Sequence, residues 1–170
     1  DGFLAEVCRQ WEDESRKIST MGVRVVNLRF GMVLSPKGGG LHKMIPAFKA
    51  SMGGTIGNGK QYLSWISIRD LVAIIQFIID NDSIEGPVNI VSPAPTTNRE
   101  LTKSLGKALK RPAFFTIPAF MAKLIFGQMA DEMLLSSTRA MPQLLRQSGY
   151  EFIDQSLDEV LKFCIEKVQS

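Results

Sequence analysis

The amino-acid sequence predicts an α/β fold that is followed by a small, mostly helical domain. Two apolar segments, residues 23–30 and 88–91, have the composition of buried strands in a parallel sheet. The segments between them carry apolar residues at helical spacing. After Arg111-Pro112 the sequence is helical in character and rich in Met, Phe and Leu. We therefore predict one domain over residues 1–110 and a second over residues 111–170.

The first elements predict half of a βαβ unit. Residues 3–18 form one amphipathic helix, and residues 23–30 (VRVVNLRF) form a strand that is buried on both faces. The glycine-rich segment 31–40 (GMVLSPKGGG) is predicted to be a loop that leaves the carboxyl end of this strand. The apolar residues that share one stripe of the helix are Leu4, Val7, Cys8 and Trp11.

The remaining elements follow from turn and capping signals. A short helix is predicted over residues 41–52, a strand over 64–68, and a helix that begins with Asp70 as its N-cap. Thr97 and Glu100 form a capping box for a helix that ends near Leu109. In residues 111–170, Pro118 and Pro142 are each predicted to lie in the first turn of a helix. Ser156 to Glu159 form a second capping box, which predicts the start of a terminal helix.

Composition narrows the range of functions. The net charge is +3 and the basic residues are scattered, so nucleic acid is not an expected partner. No apolar run is long enough to cross a membrane, which predicts a cytoplasmic protein without a membrane partner. The spacing of Cys8 and Cys164 fits no metal or redox motif. Because the chain opens on Asp1 rather than Met, we expect residues to precede it.

Four motifs stand in a recognisable order: residues 3–12, residues 28–40, residues 57–71, and residues 86–91 with Thr97 to Leu101. This series resembles the extended short-chain dehydrogenase/reductases, and among them the atypical epimerase-like branch of sugar-nucleotide epimerase or cell-division-inhibitor-like proteins. The resemblance implies the carboxy-terminal part of a Rossmann-type NAD(P)-binding fold. It also implies that residues 111–170 form the small carboxy-terminal domain of that branch.

A nicotinamide cofactor is implied by the same resemblance, NADP being favoured over NAD. Its phosphates would be bound by a glycine-rich turn upstream of Asp1, so binding is expected only in the full-length protein. The nicotinamide end would pass the end of the first strand, where Gly31 would permit close approach. Arg29 there predicts a carboxylate or phosphate partner. The residues expected to contact the cofactor are Arg29, Phe30, Gly31, Met32 and Val33.

The catalytic pair of the family is a Tyr and a Lys four residues apart on the helix before this strand. If Glu12 matches the acidic residue that follows the pair, Leu4 and Cys8 occupy the Tyr and Lys positions, and both are expected to be core residues. No Tyr or Lys occurs in residues 1–16, so another register does not restore the pair. The catalytic residues are therefore unknown, and His42 is a weak candidate acid or base in the predicted loop.

The substrate side is predicted to include Lys37, His42, Gln61 and Trp65. Family members often have a pyrophosphate-binding Arg where this chain has Leu63, which weakens a nucleotide sugar as the substrate. Two hypotheses follow. In the first, the chain belongs to an NAD(P)-dependent epimerase or oxidoreductase that acts on a small polar substrate, with a homodimer as the expected assembly. Alternatively, it belongs to a non-catalytic NAD(P)-binding or regulatory module. A truncated fragment that binds no cofactor is a third possibility.

Overall fold

A computed structural model describes residues 3–118 and 136–169. The helices of the described part are α1 (Phe3–Ser19), α2 (Gly39–Lys49), α3 (Ile68–Asp80), α4 (Asn98–Leu109), α5 (Gln143–Gln147) and α6 (Leu157–Gln169). Its strands are β1 (Val26–Phe30), β2 (Met32–Leu34), β3 (Gly54–Ile56), β4 (Tyr62–Leu63), β5 (Trp65–Ser67), β6 (Gly86–Ile90), β7 (Thr96–Thr97) and β8 (Phe115–Ile117).

Parallel pairing dominates the strands, which confirms the predicted α/β class. β1 pairs with β6, β2 with β5, and β3 with β8, all parallel, while β4 and β7 are antiparallel. Parallel neighbours need a crossover connection, and helices supply it: α2 lies between β2 and β5, and both α2 and α3 lie between β1 and β6. The carboxyl ends of β1 and β6 therefore lie at the same edge.

The segment predicted as a loop over residues 31–40 is partly a strand. Met32–Leu34 forms β2, and only the residues that follow it turn towards α2, which begins at Gly39. The prediction failed because the three glycines and Pro36 dominated the composition, while the apolar run MVL is only three residues long. Gly31 is the point at which the chain leaves β6 and joins β5.

The first strand and helix are more exposed than predicted. β1 is not buried on both faces: its residues are half-buried or exposed, and Phe30 is 53% exposed. Among the described residues, β6 is its sole strand partner. On α1, Trp11 is 72% exposed and Cys8 is also exposed, so Cys8 is not a core residue. Polar contacts join α1 to β1, among them the hydrogen bond from Ser15 to Asn27.

The carboxy-terminal helix α6 belongs to the same core as the α/β part. Leu161 and Cys164 of α6 are buried with Leu105 of α4 and Leu34 of β2. Residues 115–117 form β8 rather than a helix, because they pair with β3. Pro142 does stand just before α5. The helix predicted from Pro118 onward falls mostly on residues 119–135, outside the described residues, and the division at residue 111 stays a prediction.

Candidate functional site

The candidate site is centred on Gly31, where the chain stops pairing with β6 and starts pairing with β5. This position is called the Gly31 switch below. The Gly31 N–H donates to the Ile90 carbonyl over 3.3 Å, and the next N–H, of Met32, donates to the Ser64 carbonyl over 2.8 Å. A Cβ added to Gly31 would lie 2.6 Å from that same Ser64 oxygen. Glycine is therefore required here for the approach of two backbones within the chain. The approach of a cofactor to Gly31 stays a prediction.

Of the five residues predicted to contact a cofactor, Phe30 has the backbone best placed to do so. The N–H groups of Gly31 and Met32 are already used within the chain. Alternate residues of a parallel strand bond to the same neighbour, so Phe30, which precedes Gly31, directs its N–H and C=O away from β6. Its half-exposed ring lies at the same strand end. Val33 lies inside β2, paired with Ile66.

Arg29 has a carboxylate partner, which is one of the two kinds predicted for it. Its Nε and one terminal nitrogen each lie 2.6 Å from a different carboxylate oxygen of Glu12 on α1. The hydrogen bond from Arg29 lowers the pKa of Glu12 below its ordinary value, against the opposing effect of desolvation. This two-bond pair fixes the end of β1 against α1.

A carboxy-terminal segment forms one wall of the site, which the sequence did not predict. The Ser137 hydroxyl accepts from the Tyr62 N–H over 3.0 Å, and the Thr138 N–H donates to the Tyr62 carbonyl over 3.0 Å. The buried Ser64 hydroxyl donates to the Thr138 carbonyl and accepts from the Ala140 N–H, each over 2.9 Å. Residues 137–140 therefore run beside β4, next to the Gly31 switch.

Two residues predicted to face the substrate are buried instead. The indole N–H of Trp65 donates to the Ala94 carbonyl over 2.8 Å, and the side chain has no exposed surface. The amide of Gln61 donates to the Ile56 carbonyl over 3.0 Å beneath the following turn. Trp65 is buried by packing against residues of α2, α4 and α6, and Gln61 is buried beside Ile56. Their place on the substrate side of the site stays a prediction.

The other two substrate-side predictions keep exposed side chains. Lys37 lies in the short turn between β2 and α2. His42 is exposed but lies on α2, so it is a helical residue rather than a loop residue. The start of α2 lies close to Met32 of β2: a Cβ built on Gly40 would be 3.6 Å from the Met32 sulfur.

Asp70 was predicted to be an N-cap, but the N-cap of α3 is Ser67, whose side chain accepts from the Asp70 N–H. Asp70 is fully buried, and one of its oxygens accepts from the Tyr150 hydroxyl and the Ile153 N–H, each over 2.9 Å. The other oxygen accepts from the Asp154 N–H over 2.9 Å. Burial and the bond to Asp70 raise the pKa of Tyr150, so this hydroxyl stays a donor at neutral pH.

A family model described as a domain of unknown function, DUF1731, matches residues 117–164. The chain is 43% identical over 162 residues to an epimerase family protein of Mycobacterium bovis, covering 95% of this chain and 54% of that relative. It is 33% identical to the human epimerase family protein SDR39U1 crystallised with NADPH, with a TM-score of 0.80 over 85% of this chain and 49% of that one.

A third similar structure is a nucleoside-diphosphate sugar epimerase from Corynebacterium glutamicum. The identity is 33% and the TM-score is 0.72, over 95% of this chain and 30% of that one. The matches confirm the resemblance to the epimerase-like short-chain dehydrogenase/reductases. The Rossmann-type fold class is confirmed with it. The chain spans about half the length of the curated relatives it matches.

The sequence resemblance matches positions 4 and 8 to the Tyr and Lys of the family, and this matching stays a prediction. Cys8, matched to the family Lys, is exposed on α1, and the side chain of Leu4 lies outside the described part of the chain. No group of three His, Cys, Asp or Glu within residues 3–118 and 136–169 could hold a metal ion. Over the same residues, no helix has the length and apolarity that a membrane crossing requires.

Gly31→Ala is expected to destabilise the protein by about 1–3 kcal/mol, because the new Cβ overlaps backbone that cannot swing aside. Gly38→Ala is the matched control: an added Cβ there meets nothing within 4 Å, and its φ of 169° is extended. Urea unfolding followed by circular dichroism measures both. Equal stability of the two variants would contradict the close approach of Gly31 to Ser64.

Proposed function

We propose that this chain forms the substrate-side part of an NAD(P)-dependent epimerase or oxidoreductase that acts on a small polar substrate. The observation that carries the proposal is the likeness to the human protein crystallised with NADPH, at 33% identity and a TM-score of 0.80. A nicotinamide cofactor would supply the hydride chemistry. NADP as the preferred cofactor, a cytoplasmic location and a homodimer are further predictions of this proposal.

The residues present fit one end of such a cofactor. Phe30 offers an N–H and a C=O that β6 does not use, which suits a carboxamide group, and its ring is 53% exposed beside them. The Arg29–Glu12 pair would hold this strand end in place. No glycine-rich turn joins a strand directly to a helix in the described residues, so the cofactor phosphates would be bound by residues outside them.

The proposal is tested by titrating the complete gene product with NADPH and NADH and following nicotinamide fluorescence. We expect saturable binding, with NADPH bound more tightly. Phe30→Ala is expected to weaken it roughly fivefold, because a half-buried aromatic contact is lost. Val72→Ala, another exposed apolar residue, is the control and should bind as the unmodified protein does. Binding of neither nucleotide would overturn the proposal.

A non-catalytic NAD(P)-binding or regulatory module is the second candidate. It is favoured by the residues at positions 4 and 8, which cannot perform the proton transfer of a Tyr and Lys pair. A turnover screen over carbonyl and sugar substrates separates the two candidates. Turnover that survives Cys8→Ala and His42→Ala but is lost with Arg29→Ala would favour an unusual enzyme. Cofactor binding without any turnover would favour the module.

A further inference from the structure

β8 has an open edge in the described part of the chain, where its one strand partner is the parallel strand β3. The Gly57 N–H donates to the Ile117 carbonyl over 2.9 Å, and a Cβ built on Gly54 would lie 2.4 Å from the Phe115 carbonyl oxygen. Because alternate residues of a parallel strand bond to the same neighbour, Thr116 directs its N–H and C=O away from β3. This exposed residue therefore offers one donor and one acceptor to a further strand.

Two adjacent aromatic residues at the start of β8 expose most of their surface. Phe114 is 89% exposed and Phe115 is 60% exposed. The chain just before them packs closely on α4, since a Cβ built on Gly106 would lie 2.9 Å from the Ala113 Cβ. The two rings are therefore presented by a backbone that is held from behind. Large apolar side chains exposed together at an open strand edge are typical of a surface that binds another chain.

Two exposed cations, Lys110 and Arg111, stand shortly before the aromatic pair. Their N–H groups donate to carbonyls in the last turn of α4, which fixes the backbone that carries them. Within residues 3–118 and 136–169, neither cation has a carboxylate at ion-pair distance. These two cations together with Phe114, Phe115 and Thr116 are called the β8 surface below.

The elements around the β8 surface compensate its positive charge only in part. No Asp or Glu occurs between Glu14 and Asp70, the part of the sequence that contains α2 and β3. α4 has a single acidic residue, Glu100, which belongs to the capping box at the opposite end of that helix. α6 lies across a groove from Lys110, and two of its carboxylates pair with other lysines. The β8 surface is therefore complementary to a ligand that is both apolar and acidic.

We propose that the β8 surface binds an extended, acidic segment of another protein as an added strand. The backbone of that segment would pair with the N–H and C=O of Thr116. Its apolar residues would cover Phe114 and Phe115, and its carboxylates would lie beside Lys110 and Arg111. This interaction goes beyond the proposed function and does not depend on cofactor binding.

The open edge also favours a peptide over the other partners of similar chemistry. An anionic membrane would meet the same cations and rings, but hydrocarbon offers no hydrogen-bond partner, so inserting Phe115 would bury the polar groups of Thr116 unpaired. A second copy that paired through its own β8 would add two more cations, and residues 110–118 contain no carboxylate. An extended acidic peptide satisfies both the backbone groups and the charge.

The test is fluorescence anisotropy of the complete gene product with a fluorescein-labelled peptide of alternating Glu and Val. We expect saturable binding that weakens at high salt, and little binding of the matching peptide of Lys and Val. Thr116→Pro should weaken binding at least about tenfold, because the edge loses its donor and the ring blocks pairing. β3 does not use the Thr116 N–H, so this variant is expected to fold, and a thermal melt checks that it does.

Two side-chain variants test the rest of the β8 surface. Arg111→Gln and Phe115→Ala should each weaken peptide binding about fivefold, the effect of one exposed ion pair or apolar contact. Arg146→Gln on α5 and Val72→Ala on α3 alter exposed residues elsewhere and are the controls. Hydrogen exchange needs no variant: the peptide should slow exchange of the Thr116 amide in the unmodified protein.

Several results would overturn the inference. These are no saturable binding at millimolar peptide, equal affinity for the two peptides, and undiminished binding by folded Thr116→Pro. Binding to phosphatidylserine vesicles but not to the acidic peptide would assign the surface to a membrane instead. A dimer in sedimentation velocity that Thr116→Pro dissociates would assign it to a second copy. NADPH titration of the same samples tests the proposed function separately.

Discussion

Asp70→Asn is expected to lower the free energy of unfolding by about 3 kcal/mol or more. The carboxylate is fully buried and accepts from Tyr150, Ile153 and Asp154. An amide of the same size has one oxygen instead of two, so its NH₂ group would face at least one of these donors. The variant therefore loses hydrogen bonds and also places a donor against a donor in a buried site.

Urea unfolding of the complete gene product, followed by circular dichroism, measures the loss. Tyr150→Phe removes one donor and leaves the carboxylate in place, so it should cost only about 1 kcal/mol. Asp80→Asn removes the same charge from the end of α3, where Asp80 is exposed, and should change stability by less than about 0.5 kcal/mol. If Asp70→Asn costs no more than Tyr150→Phe, Asp70 is not the centre that holds residues 150–154 to α3.

Trp65→Ala is expected to cost about 3–5 kcal/mol of stability, because it empties a large volume in the middle of the core. The side chain has no exposed surface and packs in the cluster that joins β2, α2, α4 and α6. Trp65→Phe keeps most of the volume but leaves the Ala94 carbonyl without its donor, so a loss of about 1–2 kcal/mol is expected. The folded Phe variant should bind NADPH as the unmodified protein does.

Fluorescence gives this prediction a second measurement. Within this chain Trp65 is buried and Trp11 is 72% exposed. Trp65→Phe should therefore remove the tryptophan signal that acrylamide does not quench, and Trp11→Phe should remove the quenched one. If Trp65→Phe left stability unchanged and weakened NADPH binding, Trp65 would line a ligand site and the observed burial would be contradicted.

Elements with local signals could be predicted from the amino-acid sequence. The apolar period of residues 3–18, the Thr97 and Glu100 capping box and the apolar strand before Gly31 all act over a few residues, and α1, α4 and β1 form where they were predicted. The order of the motifs also sufficed for the family resemblance. Arg29 ends an otherwise apolar strand, and that alone predicted a partner, which is Glu12.

The surroundings of each side chain depend on packing between distant parts of the chain. Met32–Leu34 becomes a strand because β5 lies beside it, and Phe115–Ile117 because β3 does, pairings that three-residue runs do not signal. Trp65 and Gln61 are buried by the packing of distant elements. The contact of Arg139 with Tyr62 joins residues 77 positions apart. The site at Gly31 is assembled from such long-range contacts, and local sequence patterns carry no information about them.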